Sequence, residues 1–243
     1  MEGEPRSVED FNEIFEAFKK SEDPILLVGG HAVNVWALSY YDRAASEIVP
    51  HEPLTSSDVD IYATRNALLW LGRELGGEVR FAEPRGIVLG AMELEVGGQP
   101  LLLEALRCVK GVSNEELKER ASVNVAGNEI LVPLPHILLK AKLSNTLELD
   151  QCDRQDVKHV KLLAVVLREY LIDLLDTAKR ELEREQLRII REAVSVVMSE
   201  DAKRFEEVYG WGLGDFLPIE EMESSTPKIA SFAKVEFYKR YKT

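Results

Sequence analysis

The chain has 243 residues, 45% hydrophobic and 30% charged, which is enough to bury the core of one large or two small soluble domains. Its net charge of −13 argues against a broad surface for non-specific binding of DNA or RNA. The two cysteines, Cys108 and Cys152, form neither a disulfide framework nor a metal-type spacing, which predicts a reducing, cytoplasmic compartment. No signal peptide is predicted, and the apolar run 25–38 is too short for a membrane span.

In chain order, hydrophobic periodicity and turn residues predict alternating helices and strands over the first part of the sequence. A capping-box-like pair, Ser7 and Asp10, opens the first helix. The predicted helices cover 8–20, 32–40, 65–75, 114–121 and 135–145. The predicted strands cover 25–28, 58–62, 79–82, 87–96, 101–106, 123–125 and 129–132.

Glycine and proline mark the predicted connections. Gly97-Gly98 and Gly127-Asn128 each separate two strand-like runs and predict two hairpins. The helix 65–75 is expected to stop at Gly76-Gly77. Residues 42–57, which include Pro50 and Pro53, are expected to be irregular.

Beyond about residue 150 the composition changes. Residues 153–198 are rich in Leu, Val, Arg and Glu and contain no glycine or proline, which predicts two helices or one kinked helix. A glycine-containing loop is predicted at 210–214, and residues 227–243 are expected to form a final short helix or a frayed end. The sequence therefore predicts a sheet-containing domain over residues 1–148 and an all-α domain over residues 149–243.

Two carboxylates, Asp58 and Asp60, share the short strand-like segment DVDIY. Side chains alternate along a strand, so both acids are expected on one face, with Val59 and Ile61 on the other. Like charges on one face repel each other, and Mg²⁺, which prefers oxygen ligands, would relieve that repulsion. The same pattern also fits a solvated strand end without a function.

A glycine pair, Gly29-Gly30, lies between a predicted strand and a predicted helix. Glycines there allow a close approach to a ligand, and the free N–H groups of a helix start favour phosphate. A tight strand–helix turn would need the same residues. No Walker or Rossmann signature accompanies the pair.

Together, these motifs resemble the nucleotidyltransferase fold of the DNA polymerase β superfamily. The pair Gly29-Gly30 is followed by the Asp-x-Asp strand, and then by Glu104 in the otherwise apolar run PLLLEAL. The stretch PHILLKAKLSNTLELDQCDRQDVKHVKLL further resembles the downstream motifs of AbiEii-like toxin nucleotidyltransferases. There the family lysine corresponds to Lys142, and the helix-opening motif corresponds to Arg154, Gln155 and Asp156, with His159 where a second Asp is usual.

The resemblance implies an α+β fold, in which a mixed β-sheet domain with helices precedes an all-α domain. It also implies transfer of a nucleoside monophosphate from an NTP, with two Mg²⁺ ions held by Asp58, Asp60 and Glu104. Those three residues would be catalytic. The expected nucleotide-binding residues are Gly29, Gly30, Lys142, Arg154 and Asp156.

The acceptor is left open. The toxin resemblance implies tRNA or a protein as acceptor, and an antitoxin protein as a partner. Two alternatives are a small-molecule adenylyltransferase of the aminoglycoside type, and a non-catalytic member of the fold that binds nucleotide or a partner. The four histidines form no pair at i, i+4 spacing, so no zinc site is expected.

Overall fold

A computed structural model describes residues 5–152, 154–177 and 182–241. It confirms the α+β class, because a five-stranded mixed sheet with helices is followed by a helical region. The strands are β1 (Leu26–Leu27), β2 (Asp58–Tyr62), β3 (Val79–Phe81), β4 (Val88–Val96), β5 (Gln99–Leu106), β6 (Arg120–Val125) and β7 (Asn128–Pro133).

The α-helices follow the same order along the chain. They are α1 (Asn12–Lys20), α2 (Gly29–Ser39), α3 (Tyr41–Ile48), α4 (Arg65–Leu75), α5 (Pro135–Glu148), α6 (Asp156–Asp176), α7 (Glu183–Val197), α8 (Glu200–Tyr209), α9 (Ile219–Glu223), α10 (Pro227–Ser231) and α11 (Tyr238–Tyr241). Short 3-10 turns at Val8–Phe11, Val49–His51, Glu116–Lys118 and Leu213–Phe216 connect some of them. Residues 153 and 178–181 of the predicted helical stretch 153–198 lie outside the described residues.

The main sheet has the order β1-β2-β5-β4-β3. Strand β2 pairs with β1 in antiparallel and with β5 in parallel orientation, so β2 and β5 are neighbours although two strands separate them in sequence. In the parallel register, Asp60 lies opposite Glu104, and Val59 lies opposite Leu103. One face of this strand pair is therefore acidic and the other is apolar.

The apolar face belongs to the core. Val59, Ile61, Leu103 and Ala105 are fully buried, in a hydrophobic cluster that also contains residues of the C-terminal helices. Burial of this face fixes the strand register, since a shift by one residue would turn the acidic side chains inward. The domain boundary between residues 148 and 149 falls at the end of α5 and stays a prediction.

Several predicted elements are confirmed closely. The Ser7 backbone N–H donates to Asp10 Oδ2 at 2.9 Å, as in a capping box. Helix α4 ends at Gly76, whose φ of 72° is left-handed. The Gly97-Gly98 hairpin joins β4 and β5, and the second hairpin turns one residue earlier than predicted, at Ala126-Gly127.

Two predictions are wrong. Residues 42–57 are not irregular throughout, because Tyr41–Ile48 is helical and buries Ala44 and Ile48. The prolines lie beyond that helix, and Pro50 sits in a 3-10 turn, where a missing N–H costs little. The helix predicted at 114–121 is only the 3-10 turn Glu116–Lys118, because Arg120 already pairs with Pro133 in the second sheet.

Helix α8, Glu200–Tyr209, was not predicted, although its boundaries carry clear signals. Ser199 caps its start by accepting from the Ala202 N–H, and Gly210 ends it at a φ of 66°. Within the described ranges, no helix has the length and apolar character needed to cross a membrane.

Candidate active site

Three carboxylates meet on the acidic face of β2 and β5. Asp58 and Asp60 project from the same side of β2, and the parallel register brings Glu104 beside Asp60. One carboxylate oxygen from each residue lies within 4.8 Å of the other two. Asp58, Asp60 and Glu104, called the carboxylate trio below, are thus brought together: strand alternation predicts the shared face of the two aspartates, and the resemblance implied Glu104 beside them. All three are half-buried.

Burial and mutual repulsion disfavour the ionised forms of the trio. Burial, together with the charges of Asp58 and Glu104, raises the pKa of Asp60 to about 7, although Lys142 and Arg154 oppose this shift. Burial and the charge of Asp58 also raise the pKa of Glu104. The group therefore has a deficit of positive charge, which a bound cation would supply.

Gly29 brings the start of α2 against the trio. Its φ is +66°, and a Cβ there would lie 2.1 Å from Asp60 Oδ2. Only glycine fits, because both the backbone conformation and the neighbouring carboxylate exclude a side chain. The Val28 N–H donates to the backbone oxygen of Asp60 at 2.9 Å, which ties this turn to β2.

Gly30 serves a different purpose from its neighbour. A Cβ at Gly30 would lie 2.8 Å from Ser56 Oγ and 3.2 Å from His159 Cε1. Its missing side chain lets α2 pack against the segment before β2 and against α6. The Cβ position of Gly29 thus adjoins the carboxylates, whereas that of Gly30 adjoins Ser56 and His159; nucleotide binding by both glycines stays a prediction.

A buried ion-pair network lies beside the trio, at the start of α6. Lys142 Nζ donates to Asp156 Oδ1 at 2.8 Å, and Arg154 Nε donates to Asp156 Oδ2 at 2.6 Å. Burial alone would raise the pKa of Asp156, but the two cations outweigh it, and the net shift is downward. Because both cations also act on Asp60, the network contributes positive charge to the site.

His159 is buried against Gly30. Burial holds its pKa well below the usual value, so the ring is neutral at physiological pH. It does not replace the second acid of the family motif as a negative charge.

Two residues of the site were not predicted from the sequence. Ser56 and Ser57 donate to Asp58 Oδ1 at 3.4 and 3.3 Å, and their only sequence signal is their position directly before Asp58.

Comparison with known proteins gives structural likenesses only. No family model matches the chain, and no curated protein matches it in sequence. A provisionally assigned nucleotidyltransferase of Thermotoga maritima is 20% identical, with 54% of this chain and 79% of that chain covered and a TM-score of 0.35. The antibiotic-resistance factor ANT(2″)-Ia is 15% identical, with 84% and 90% covered and a TM-score of 0.41.

A nucleotidyltransferase-like antigenic protein of Paracoccidioides brasiliensis is 13% identical, with 95% of this chain and 94% of that chain covered and a TM-score of 0.37. ANT(2″)-Ia has also been crystallised with adenylyl-2″-tobramycin. Two of these proteins are described as a nucleotidyltransferase or as nucleotidyltransferase-like, and the likenesses concern the fold alone. None of these likenesses identifies the AbiEii-like group, which stays a prediction.

Proposed function

We propose that the chain is a Mg²⁺-dependent nucleotidyltransferase that transfers a nucleoside monophosphate from an NTP to an acceptor hydroxyl and releases pyrophosphate. The observation that carries the proposal is the carboxylate trio, whose oxygens lie within 4.8 Å of one another on the open face of β2 and β5. Two of the three carboxyl groups have raised pKa values, because burial and neighbouring negative charge disfavour their ionised forms, and a bound cation would favour those forms.

The chemistry of the trio fits Mg²⁺. The donors of Asp58, Asp60 and Glu104 are all carboxylate oxygens, and hard cations prefer such ligands. When bound, Mg²⁺ would offset the negative charge of the triphosphate and lower the pKa of the acceptor hydroxyl.

Residues of the chain itself would bind the triphosphate and accept the proton of the acceptor hydroxyl. The N–H groups at the start of α2, next to Gly29, would donate to phosphate oxygens. Arg154, which is partly exposed, would contact the triphosphate, while Lys142 behind it would add positive charge and fix Asp156. Glu104 would accept the proton of the acceptor hydroxyl, a role for which a raised carboxyl pKa is suited.

The acceptor is proposed to be tRNA or a protein, on the strength of the motif resemblance from Lys142 to Asp156. The same resemblance supports an antitoxin protein as partner. A small-molecule acceptor and a non-catalytic nucleotide-binding role are the competing outcomes of the test below.

The test is transfer of label from each of the four α-³²P NTPs, with Mg²⁺, to total tRNA, to cell protein and to a set of small hydroxylated metabolites. We expect one acceptor class to be labelled by the wild type and not by Asp58→Asn/Asp60→Asn. Labelled metabolites would favour the small-molecule alternative. If no NTP binds to folded protein at millimolar concentration, the nucleotidyltransferase proposal is wrong, whereas binding without any transfer would favour the non-catalytic alternative.

A further inference from the structure

A second cluster of metal-type ligands lies away from the trio, around the start of α5. It consists of Glu119, His136 and Glu192, called the histidine cluster below. Glu119 directly precedes β6, His136 is the second residue of α5, and Glu192 lies in α7. The cluster thus joins the second sheet, α5 and the C-terminal helices at one point.

The spacing of the cluster suits a bound ion better than hydrogen bonds. One ligand atom from each residue lies within 4.8 Å of the other two. His136 Nε2 is 3.7 Å from Glu192 Oε2, which is beyond hydrogen-bond distance. Two ligands that each lie about 2.0–2.2 Å from a tetrahedral zinc ion are themselves about 3.3–3.6 Å apart.

His136 makes no hydrogen bond to another side chain among the described residues. His136 is 3% exposed, and its Nδ1 has no hydrogen-bond partner within the described ranges. Glu119 Oε2 is likewise buried without a partner there. Burial lowers the pKa of His136 to about 4, so the ring is neutral and carries the lone pair that metal binding requires. A bound ion would give Glu119 Oε2 a partner and would be held by His136 Nε2, the nitrogen nearest Glu192, while Nδ1 would stay without a partner.

Arg188 provides the competing explanation, a purely ionic cluster. Its Nη1 donates to Glu119 Oε1 at 2.6 Å and to Glu192 Oε1 at 2.7 Å, and also reaches Glu192 Oε2 at 2.9 Å. The arginine therefore orients both carboxylates and leaves Glu119 Oε2 unpaired. A neutral imidazole could accept from a guanidinium N–H, but among the described residues Arg188 donates to the two carboxylates and makes no hydrogen bond to His136.

Space for the remaining ligands is present beside the cluster. A cavity of about 330 Å³ is lined by all three cluster residues and by Ser195, Ser199 and Asp201. Since one water occupies about 30 Å³ of liquid volume, several waters fit there. An ion with three protein ligands and one water would match the open coordination of many zinc sites.

We propose that Glu119, His136 and Glu192 form a binding site for a divalent transition metal ion of the zinc type. The mixed nitrogen and oxygen donor set selects Zn²⁺ over Mg²⁺, because imidazole is a ligand of transition metals and is rarely used by Mg²⁺. The bound ion links α7 to α5 and to the start of β6, and so stabilises the attachment of the C-terminal helices. This proposal is independent of the nucleotidyltransferase function.

The experiment is calorimetric titration of the full-length protein with Zn²⁺ and with Mg²⁺, together with thermal unfolding in each metal. Zn²⁺ is expected to raise the Tm by about 5 °C when its free concentration is a hundred times the Kd. His136→Gln and Glu192→Gln are expected to weaken this Zn²⁺ binding at least about tenfold. His51→Gln, at a histidine outside the cluster, is the matched control and should bind as the wild type does.

The carboxylate trio and the two cysteines could also bind Zn²⁺, and variants at these residues distinguish such binding from binding at the cluster. In Asp58→Asn/Asp60→Asn and in Cys108→Ser/Cys152→Ser, the site removed by His136→Gln should persist. If Zn²⁺ binding disappears in either double variant, the proposal is overturned.

Glu192 is half-exposed, so Glu192→Gln tests the site even if the buried His136→Gln fails to fold. Wild-type Zn²⁺ affinity in folded Glu192→Gln would overturn the proposal. Equal affinity for Mg²⁺ and Zn²⁺ at the cluster would overturn the assignment to a transition metal.

Discussion

The carboxylate trio and the histidine cluster both gather acidic oxygens, but their surroundings differ. In the trio, neighbouring strands place three acids on one face, and no cation makes a hydrogen bond to them among the described residues. In the histidine cluster, Arg188 donates to both carboxylates, and the third ligand is a neutral ring. A carboxyl pKa is raised in both groups, but only in the cluster does a cation, Arg188, donate hydrogen bonds to the carboxylates.

Helix α5 connects the two groups. His136 lies in its first turn, and Lys142, beside the trio, follows six residues later, or about 9 Å along the helix axis. The two sites lie at different positions along this helix and differ in their ligand chemistry. The trio suits a hard, substrate-associated ion, and the cluster suits a more tightly held transition metal ion. The predictions that follow test this difference.

The largest effect is expected from Glu104→Gln in the trio. This substitution keeps the shape of the side chain and removes its charge and basicity. NTP should still bind, since Asp58 and Asp60 remain, but transfer should fall about 10²-fold or more, the scale of a lost general base. Single-turnover transfer from the productive α-³²P NTP, with NTP affinity measured alongside, separates the two effects.

The matched control for that variant is Glu95→Gln. Glu95 is exposed on β4, opposite Pro100, and Pro100 lies four residues before Glu104 on β5, or about 13 Å along the strand. Its transfer rate should equal that of the wild type. Undiminished transfer in Glu104→Gln would remove Glu104 from the proposed chemistry and reduce the trio to its two aspartates.

A second, smaller effect is expected in the pH dependence of metal binding. The pKa of Asp60 is raised to about 7, so Mg²⁺ must displace a proton from this carboxyl group at lower pH. Mg²⁺ affinity should therefore rise about tenfold between pH 6 and pH 8. Zn²⁺ affinity at the histidine cluster should change less, because the pKa of His136 is lowered to about 4 and its ring is already deprotonated over that range.

Calorimetry in two buffers of different ionisation enthalpy checks this prediction, since it counts the protons released. Release of close to one proton per Mg²⁺ at pH 6 is expected, with loss of this release in Asp60→Asn. A Mg²⁺ affinity that is flat from pH 6 to pH 8 would show that Asp60 is ionised without the metal.

The same contrast explains which site could be predicted from sequence. Asp58 and Asp60 are two residues apart on a strand, so their shared face follows from local alternation. Glu104 required knowledge that β5 is the parallel neighbour of β2, which motif resemblance supplied and local sequence does not. The ligands of the histidine cluster come from three elements that meet only after folding, so no local spacing could indicate them.

The accuracy with which the fold could be predicted from the sequence also differs between regions. Strands and turns marked by glycine pairs were predicted closely, because backbone conformation is decided locally there. The errors at Tyr41–Ile48 and at 114–121 arose where tertiary packing or strand pairing decided the outcome. The different roles of Gly29 and Gly30 likewise depend on Asp60, Ser56 and His159, which are distant in sequence.

The smallest effect expected is on stability, and its sign should differ between the two sites. A carboxyl group whose pKa is raised in the folded state destabilises the fold above its unfolded pKa. For Asp60 this cost is absent below about pH 4, grows as the pH rises, and is complete above about pH 7. In EDTA, Asp60→Asn should therefore raise the Tm by about 2 °C or more at pH 8 and leave it nearly unchanged near pH 4.

Arg188→Gln should have the opposite effect at the histidine cluster. It leaves Glu119 and Glu192 without their shared cation, so we expect the Tm in EDTA to fall at pH 8. The side chain of Arg188 is 39% exposed, so solvent screening should limit the loss to about 2 °C. Thermal unfolding of both variants beside the wild type and Glu95→Gln is the measurement. A fall in Tm for both variants would mean that the neighbours of Asp60 stabilise its charged form, as Arg188 does for the cluster carboxylates, and the contrast between the two sites would be lost.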